Sequence, residues 1–323
     1  MSNFDRDKCI KTMIKLRNKI KDRITGSIYH YTNAKAFKGI IESNEIWMTN
    51  ALFVNDKTEL RASLEGSDTA KDYPFKNPDL FKNVQQRSKS ADIEDCYIAS
   101  FSKDGNSLGQ FRAYGNYCIG FDAGKLKKNR FSLFKCVYER KDIKKWLVNK
   151  DKLVGWQNEC FDNDKGKSYK RVAFITVEFA RQAKLKNKHY KAEQEVRLLV
   201  VSNASWDLYT NSPEMFCDQP SIYFRDHDLF NVSIPYVKFF IPKKPKKRKE
   251  LEKMVEGKSR IETKRIIRNM EAEQEKELLP INKVIIGPMQ NQEEVVFATK
   301  ILLLENGYDN IDVKPSDIPF RGT

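Results

Sequence analysis

No apolar run in this chain approaches the roughly 18–20 residues needed to span a bilayer. The opening Met1-Ser2-Asn3-Phe4-Asp5-Arg6 has none of the apolar core of a secretion signal. A membrane role is therefore not expected, and a cytoplasmic setting is. The cysteines (Cys9, Cys96, Cys118, Cys136, Cys160, Cys217) are scattered, with no CxxC pair and no nearby histidine. That pattern argues against a disulfide framework or a zinc site and for reduced thiols. Histidine is scarce, limited to His30, His189 and His227. Gly-rich phosphate loops, Walker sequences and Ser-hydrolase elbows are missing as well. Aromatic residues are absent from 243–278, which excludes base stacking by that stretch.

What the chain does have is positive charge. A formal +15 and a pI near 9.3 predict attraction to polyanions: nucleic acid, acidic protein surfaces or anionic lipid. Two segments concentrate it. In the first, Ile10, Met13, Ile14, Ile20 and Ile24 recur at helical spacing with Lys8, Lys11, Lys15, Arg17, Lys19 and Lys21 between them. Residues 1–26 thus read as a basic amphipathic helix docked by its apolar stripe and stopped near Gly26. The second, Lys243-Lys244-Pro245-Lys246-Lys247-Arg248-Lys249, opens a run of Lys, Arg and Glu reaching Leu278. It predicts a charged helical arm or hairpin, 243–278, projecting from the body. Lys243, Lys244, Lys246, Lys247 and Arg248 either grip nucleic-acid phosphates or form a solvated face held by Glu–Lys pairs.

The pattern between these segments predicts short strands at 27–31, 46–49, 96–102, 117–122, 131–138, 193–201, 221–225, 232–241 and 284–287, with a last one near 309–314. Helices are expected after Thr32 or Asn33 (stripe Phe37, Ile40, Ile41), over 62–92 in part, over 108–114, within 140–185 and over 292–305. Helices concentrated early among many short strands make the fold class α+β, with mixed, mainly antiparallel sheets and flanking helices. The organisation expected is one domain of 27–242 plus 279–323, interrupted by the 243–278 insertion.

The densest chemical signal is Glu193-Gln194-Glu195-Val196-Arg197 leading into Leu198-Leu199-Val200-Val201. On a strand beginning near Glu193, the two carboxylates would share a face. Like charges repel there unless a site uses them. The other reading is a solvated edge-strand start with Arg197 neutralising the pair.

Several blocks in order resemble the bacterial domain of unknown function 2971. They are Ile28-Tyr29-His30-Tyr31-Thr32; Phe53-Val54-Asn55-Asp56 with Glu59; Ser100-Phe101-Ser102; and Tyr114 before Ile119-Gly120-Phe121-Asp122. The series continues with Glu193-x-Glu195-x-Arg197, then Val284-Ile285-Ile286-Gly287 and Ser316-Asp317-Ile318-Pro319. Their order looks like the ADP-ribosyltransferase plan. The resemblance implies NAD as substrate, bound by His30, Tyr31, Thr32, Asn55, Ser100, Ser102 and Tyr114. Glu195 would offset charge on an oxocarbenium-like transition state, and Glu193 would orient or deprotonate the acceptor. Tyr114 would stack on nicotinamide, and His30 would donate to a ribose hydroxyl. The implied activity is mono-ADP-ribosyl transfer to nucleic acid or protein, as in an intracellular toxin or phage-defence effector. On this reading His30, Tyr114 or Ser102, and Glu195 line one pocket; opposite faces for His30 and Glu195 would remove it. Glu195→Gln would abolish activity and leave folding intact.

Each residue also has a plainer reading. His30 and Tyr114 can be core residues, Ser100 and Ser102 can line a polar surface, and Asn55, Asp56 and Glu59 can form a capping box. Two rival functions remain: a metal-dependent nuclease using Asp56, Glu59, Glu193 and Glu195, and a non-enzymatic nucleic-acid-binding or partner-sensing protein.

Overall fold

The computed structural model describes residues 24–54, 96–126, 131–138, 186, 188–201, 220–227, 232–244 and 248–320. The expectations for 1–23, Asn55, Asp56, Glu59, the 62–92 segment, the 140–185 helices, Lys246 and Lys247 lie outside them.

Local rules account for the first unit. The strand β1 (Ser27–Thr32) ends where Asn33 caps the helix α1 (Ala34–Ser43) by accepting the Ala36 amide. Phe37, Ile40 and Ile41 form its buried stripe, and Asn44 in the left-handed region closes it. β2 (Ile46–Asn50) follows, then β3 (Cys96–Ser102), α2 (Leu108–Tyr114), β4 (Tyr117–Asp122), β5 (Ser132–Lys135) and β6 (Glu195–Val201). β7 (Ile222–His227) and β8 (Val232–Phe239) form a hairpin-like pair. The helices α3 (Arg248–Val255) and α4 (Arg260–Glu273) precede β9 (Ile281–Ile286), α5 (Gln292–Glu305) and β10 (Asp312–Pro315).

The ten strands form one sheet, in the order β10-β9-β4-β1-β3-β2-β8-β7, with β6 on β3 and β5 on β6. Every described pairing between strands is antiparallel except β9 with β10. The chain is thus mixed α/β around a mainly antiparallel sheet with five described helices.

One strand organises the rest. β6 pairs β3 along its whole length, from Cys96↔Val201 to Ser102↔Glu195. The other edge of β3 is divided: Ser102 pairs Tyr29 of β1, while Ile98 and Tyr97 pair Thr49 and Asn50 of β2. The sheet therefore forks at Ala99–Ser100.

Strand alternation gives the sheet two faces. On the helix-covered face, Ile28, Ile119, Phe121, Tyr97, Ala99, Phe101, Val196, Leu198, Val237 and Phe239 pack in one core with Phe37, Ile40 and Ile41 of α1 and with Val296 and Leu303 of α5. The opposite face carries a smaller cluster, Tyr31, Phe111, Cys118 and Ile285, with Tyr29 and Ile318 against it.

The basic arm does not project. Its neck is a bridge, Pro242 with Lys276, flanked by Lys243 N–H to Glu275 O and Glu277 N–H to Ile241 O. Beyond it, α4 begins with a capping box, Ser259 with Glu262. It then folds back on β7: Arg268 donates to Ile222 O at 2.6 Å, and Glu271 accepts from Ser221 N and Tyr223 Oη. A free arm would leave the outer edge of β7 unpaired, and edge strands are commonly protected in this way. Val255, Thr263 and Ile267 are buried as a result. Lys243 and Lys244 are exposed, so these two keep the surface position expected of them.

The neck is anchored by Glu45, 4 % exposed, whose oxygens meet Lys276 at 2.7 Å and Lys238 at 3.1 Å. Burial opposes ionisation of Glu45, but the two ammonium groups outweigh it and hold the carboxyl below its ordinary range. Glu45→Gln leaves two partly buried lysines without their counter-charge. We expect about 1–3 kcal/mol of destabilisation, seen as a lower urea midpoint at unchanged slope.

Candidate functional site

The Glu-x-Glu motif is split by a change of backbone. Residues Lys188–Glu193 form a 3-10 turn, Gln194 sits at φ 45°, and the strand starts only at Glu195. Glu193 and Glu195 are therefore not neighbours on one strand face, as the motif alone suggests. They converge through a lysine instead. Lys186 Nζ lies 2.5 Å from Glu193 Oε2 and 2.6 Å from Glu195 Oε2. Arg197, two residues along the same face, gives Nε to Glu195 Oε1 at 2.8 Å and Nη2 to Oε2 at 3.0 Å. Tyr138 Oη accepts the Glu195 amide at 2.8 Å.

This node is dry. Glu195 is 3 % and Arg197 2 % exposed. β6 is not an edge strand, being paired by β3 on one side and β5 on the other. Burial pushes the Glu195 carboxyl up, but Arg197 and Lys186 more than compensate and bring it down to about 2. The carboxylate is ionised at neutral pH, yet both its oxygens are committed to cations. Arg197 is its structural partner, as one reading of the motif had it. For the nuclease alternative, the space between Glu193 and Glu195 is filled by an ammonium group where a divalent ion would have to sit. No group of three or more potential metal ligands occurs among the described residues.

The serines divide in role. Ser102 stands opposite Glu195 in register. Its hydroxyl donates to Glu193 O at 2.7 Å and accepts the Asp104 amide at 3.0 Å. Tyr31 Oη donates to Asp104 O and accepts the Ser107 amide. Both side chains thus brace the 103–107 loop rather than presenting free groups. Gly105 permits this closeness, since a Cβ there would lie 2.6 Å from the Tyr29 ring. Ser100, beside Arg197 in register, is exposed.

His30 is the main correction. Tyr29 pairs Ser102, and Ser102 pairs Glu195, so these three share a face. His30 pairs Ile119 and its ring lies 5.6 Å from that of Phe101, both members of the helix-side core. His30 and Glu195 are therefore on opposite faces of the sheet, and Thr32, two residues on, is on the His30 side. The single pocket expected of His30, Tyr114 or Ser102, and Glu195 does not form. His30 Nδ1 lies 2.9 Å from Ser100 O in the fork. A carbonyl only accepts, so Nδ1 carries the proton and Nε2 keeps a lone pair. Burial lowers its pKa, against the opposing effect of the hydrogen bond that it donates to the Ser100 carbonyl, leaving neutral imidazole whose Nε2 would accept from a hydroxyl rather than donate. Tyr114 is exposed at the C-terminal end of α2.

On the face shared by Glu195 and Ser102, the β2-β8-β7 wing carries groups that sequence reasoning missed. Thr49↔Tyr236, Trp47↔Lys238, Tyr223↔Tyr236 and Arg225↔Ile234 are in register. Trp47, 44 % exposed, stacks on Tyr236 with centroids 4.5 Å apart at 27°. Tyr223 lies on the other side of Tyr236, with Lys238 and Arg268 over its ring. Arg225 is half-buried and donates to Thr49 Oγ1 at 2.8 Å. No carboxylate faces it among the described residues. Burial lowers its pKa against the opposing pull of Tyr236, but a guanidinium keeps its charge. Period-two alternation of Trp47 with Ile46 and Met48 was the available signal; the partner strands, 170 or more positions away, were not readable locally.

The geometry changes what Glu195→Gln should do. The neutral amide removes the counter-charge that Glu195 gives Arg197 and Lys186, and folding suffers. We expect a loss of roughly 3–5 kcal/mol, the cost of breaking a buried pair by one partner. Because the folded carboxyl lies below its unfolded value near 4.5, wild-type stability from this group is present above about pH 4.5 and is lost as pH falls toward 2. The difference between wild type and variant, followed by urea denaturation from pH 6 to pH 2, should shrink across that window; a constant difference would show that the node does not stabilise the fold.

No family model, curated protein or solved structure matches this chain.

Proposed function

We propose that this protein binds single-stranded nucleic acid on the β2-β8-β7 face. The observation that carries the reading is an exposed Trp47 stacked on Tyr236, next to a half-buried Arg225 that no described carboxylate neutralises. A half-buried cation with no described counter-charge is a favourable place for an anionic ligand. A phosphate fits a guanidinium in bidentate fashion, and an indole offers its ring to any base. Lys238 and Arg268 add cations around Tyr223, and the formal +15 of the chain draws polyanions toward it. Lys243 and Lys244, exposed at the neck of the α3–α4 hairpin, extend the basic surface.

The test is fluorescence anisotropy with a labelled single-stranded oligonucleotide across a salt series. Trp47→Ala should weaken binding by about 5–100-fold, equivalent to one lost stacking contact. Arg225→Gln should lower the slope of log K against log salt by about one. Lys243→Ser with Lys244→Ser should flatten it further. Wild-type affinity and slope in Trp47→Ala and Arg225→Gln together would reject this face as the binding surface.

A second reading, NAD-dependent mono-ADP-ribosyl transfer to nucleic acid or protein, keeps one observation in its favour. Tyr29, Ser102 and Glu195 are adjacent in register on one face, and Glu195 is held ionised. It requires NAD to displace Lys186 from Glu195, and the form of it that put His30 in one pocket with Glu195 is removed, because the two lie on opposite faces of the sheet. The motif order resembling domain of unknown function 2971 belongs to this reading. Nicotinamide release from NAD by the purified protein, with and without RNA, decides it: no release at millimolar NAD removes transfer chemistry.

A further inference from the structure

Glu45 reaches the aromatic wing as well as the neck of the hairpin. Asn44, in the left-handed region, closes α1, and Glu45 stands directly before β2. Period-two alternation sets Glu45 and Trp47 on one side of that strand. There Trp47 Nε1 donates to Glu45 Oε2 at 3.3 Å. The same oxygen meets Lys238 Nζ at 3.1 Å, and Oε1 meets Lys276 Nζ at 2.7 Å. One buried carboxylate thus ties together the indole, the ammonium group over the Tyr223 ring and the neck.

We propose that Glu45 is the positioning residue of the nucleic-acid face: it fixes the indole of Trp47 and leaves only the outer ring face to the ligand. This role rests on the nucleic-acid reading of the β2-β8-β7 face. Tyr236 covers the inner face of the indole, with centroids 4.5 Å apart at 27°, but stacking alone leaves a ring free to turn in its own plane. A hydrogen bond on the nitrogen edge restrains that motion. A base then meets a ring already oriented, and binding does not have to order one large side chain. The indole has a single N–H and no acceptor. With that donor committed to Glu45, Trp47 reads no base edge and offers only stacking, which every base accepts. Tolerance of base identity is therefore set by Glu45 as much as by Trp47.

A carboxylate is an unexpected neighbour for a phosphate chain. Here it faces two ammonium groups, so the set of Glu45, Lys238 and Lys276 stays cationic and does not repel the backbone of the ligand. The negative charge also separates a positioning role from an electrostatic one. Taking a negative charge off a polyanion-binding face tightens binding if only charge matters. Taking away the group that holds the indole weakens it.

The experiment uses the full chain and two readouts. In the ligand-free protein, NMR follows the indole N–H resonance of Trp47, the one of four that Trp47→Phe removes. Anisotropy follows affinity for a labelled single-stranded oligonucleotide. Glu45→Met removes the acceptor, whereas Glu45→Gln keeps a weaker, neutral one. Both should move the resonance and speed its exchange with solvent, Glu45→Met the more. Glu45→Met should also weaken binding by about 2–10-fold, the equivalent of ordering one side chain on binding. That loss should vanish in a Trp47→Phe background. Glu45→Gln, the milder change, carries both readouts where Glu45→Met does not fold. Lys276→Met, which loses the same ion pair at the neck, should leave affinity unchanged. An unmoved resonance in the Glu45 variants would overturn the proposal. So would tighter binding by Glu45→Met, a loss that persists with Trp47→Phe, or an equal loss in Lys276→Met. Wild-type binding by Trp47→Ala would instead reject the face itself, and this role of Glu45 with it, even where the resonance moves.

Discussion

β3 is asked to serve two edges at once, and the rest of the molecule is arranged around that demand. One edge is saturated by β6 from Cys96 to Ser102. The other is shared between β1 at Ser102 and β2 at Tyr97 and Ile98. Two strands cannot run along the same stretch of a third, so they diverge and leave the Ser100 carbonyl without a ladder partner on that side. A carbonyl left out of the ladder needs another donor, and the His30 ring supplies it. This single hydrogen bond ties the fork and assigns the imidazole tautomer, while the register of β1 keeps His30 on the helix-side face.

The fork also separates two kinds of chemistry. On the β6 side, charge is buried and paired: Glu195 meets Arg197 and Lys186, and Lys186 also meets Glu193, so removing one member leaves a buried charge less well compensated. Such a node supports the register of β6 on β3 more readily than it offers a reactive group. On the β2-β8-β7 side, a half-buried charge meets no carboxylate among the described residues. Arg225 leans on Thr49, and the neighbouring aromatic stack ends in a half-exposed indole. The contrast between a carboxylate paired with two cations and a guanidinium with no described counter-charge, on the same face of one sheet, is why the functional reading moves from the Glu-x-Glu motif to the aromatic wing.

The α3–α4 hairpin illustrates how a charged sequence behaves once a surface is available to it. Read alone, its Lys, Arg and Glu suit a solvated projection. In the fold, the edge of β7 offers an unpaired carbonyl and an unpaired amide, which Arg268 and Glu271 satisfy. Glu45 pulls in Lys276 from the neck. Few apolar side chains are needed, because the contacts are charge-assisted hydrogen bonds to backbone groups that would otherwise go unmet.

Much of the local structure was legible in the residues. Cys96–Ser102, Leu108–Tyr114, Tyr117–Asp122 and the helix over 292–305 have the bounds that periodicity and turn chemistry predict. A cap at Thr32 or Asn33, which the fold assigns to Asn33, the Phe37-Ile40-Ile41 stripe and Arg197 as carboxylate partner also follow from spacing. These are short-range properties, set by side-chain period and capping within a few residues. The candidate site was not legible, because it depends on register between distant segments. One residue of offset on β1 decides whether His30 or Tyr29 faces Glu195, and only the pairing of Tyr29 with Ser102 settles that. The left-handed turn at Gln194 shifts the strand start past Glu193, and Lys186 reaches the pair from outside the motif. Trp47, Tyr236 and Arg225 come from strands far apart in the chain. Sequence determined which segments are strands and helices and which faces are apolar; tertiary structure alone decided which strands became neighbours, and so which polar side chains could meet.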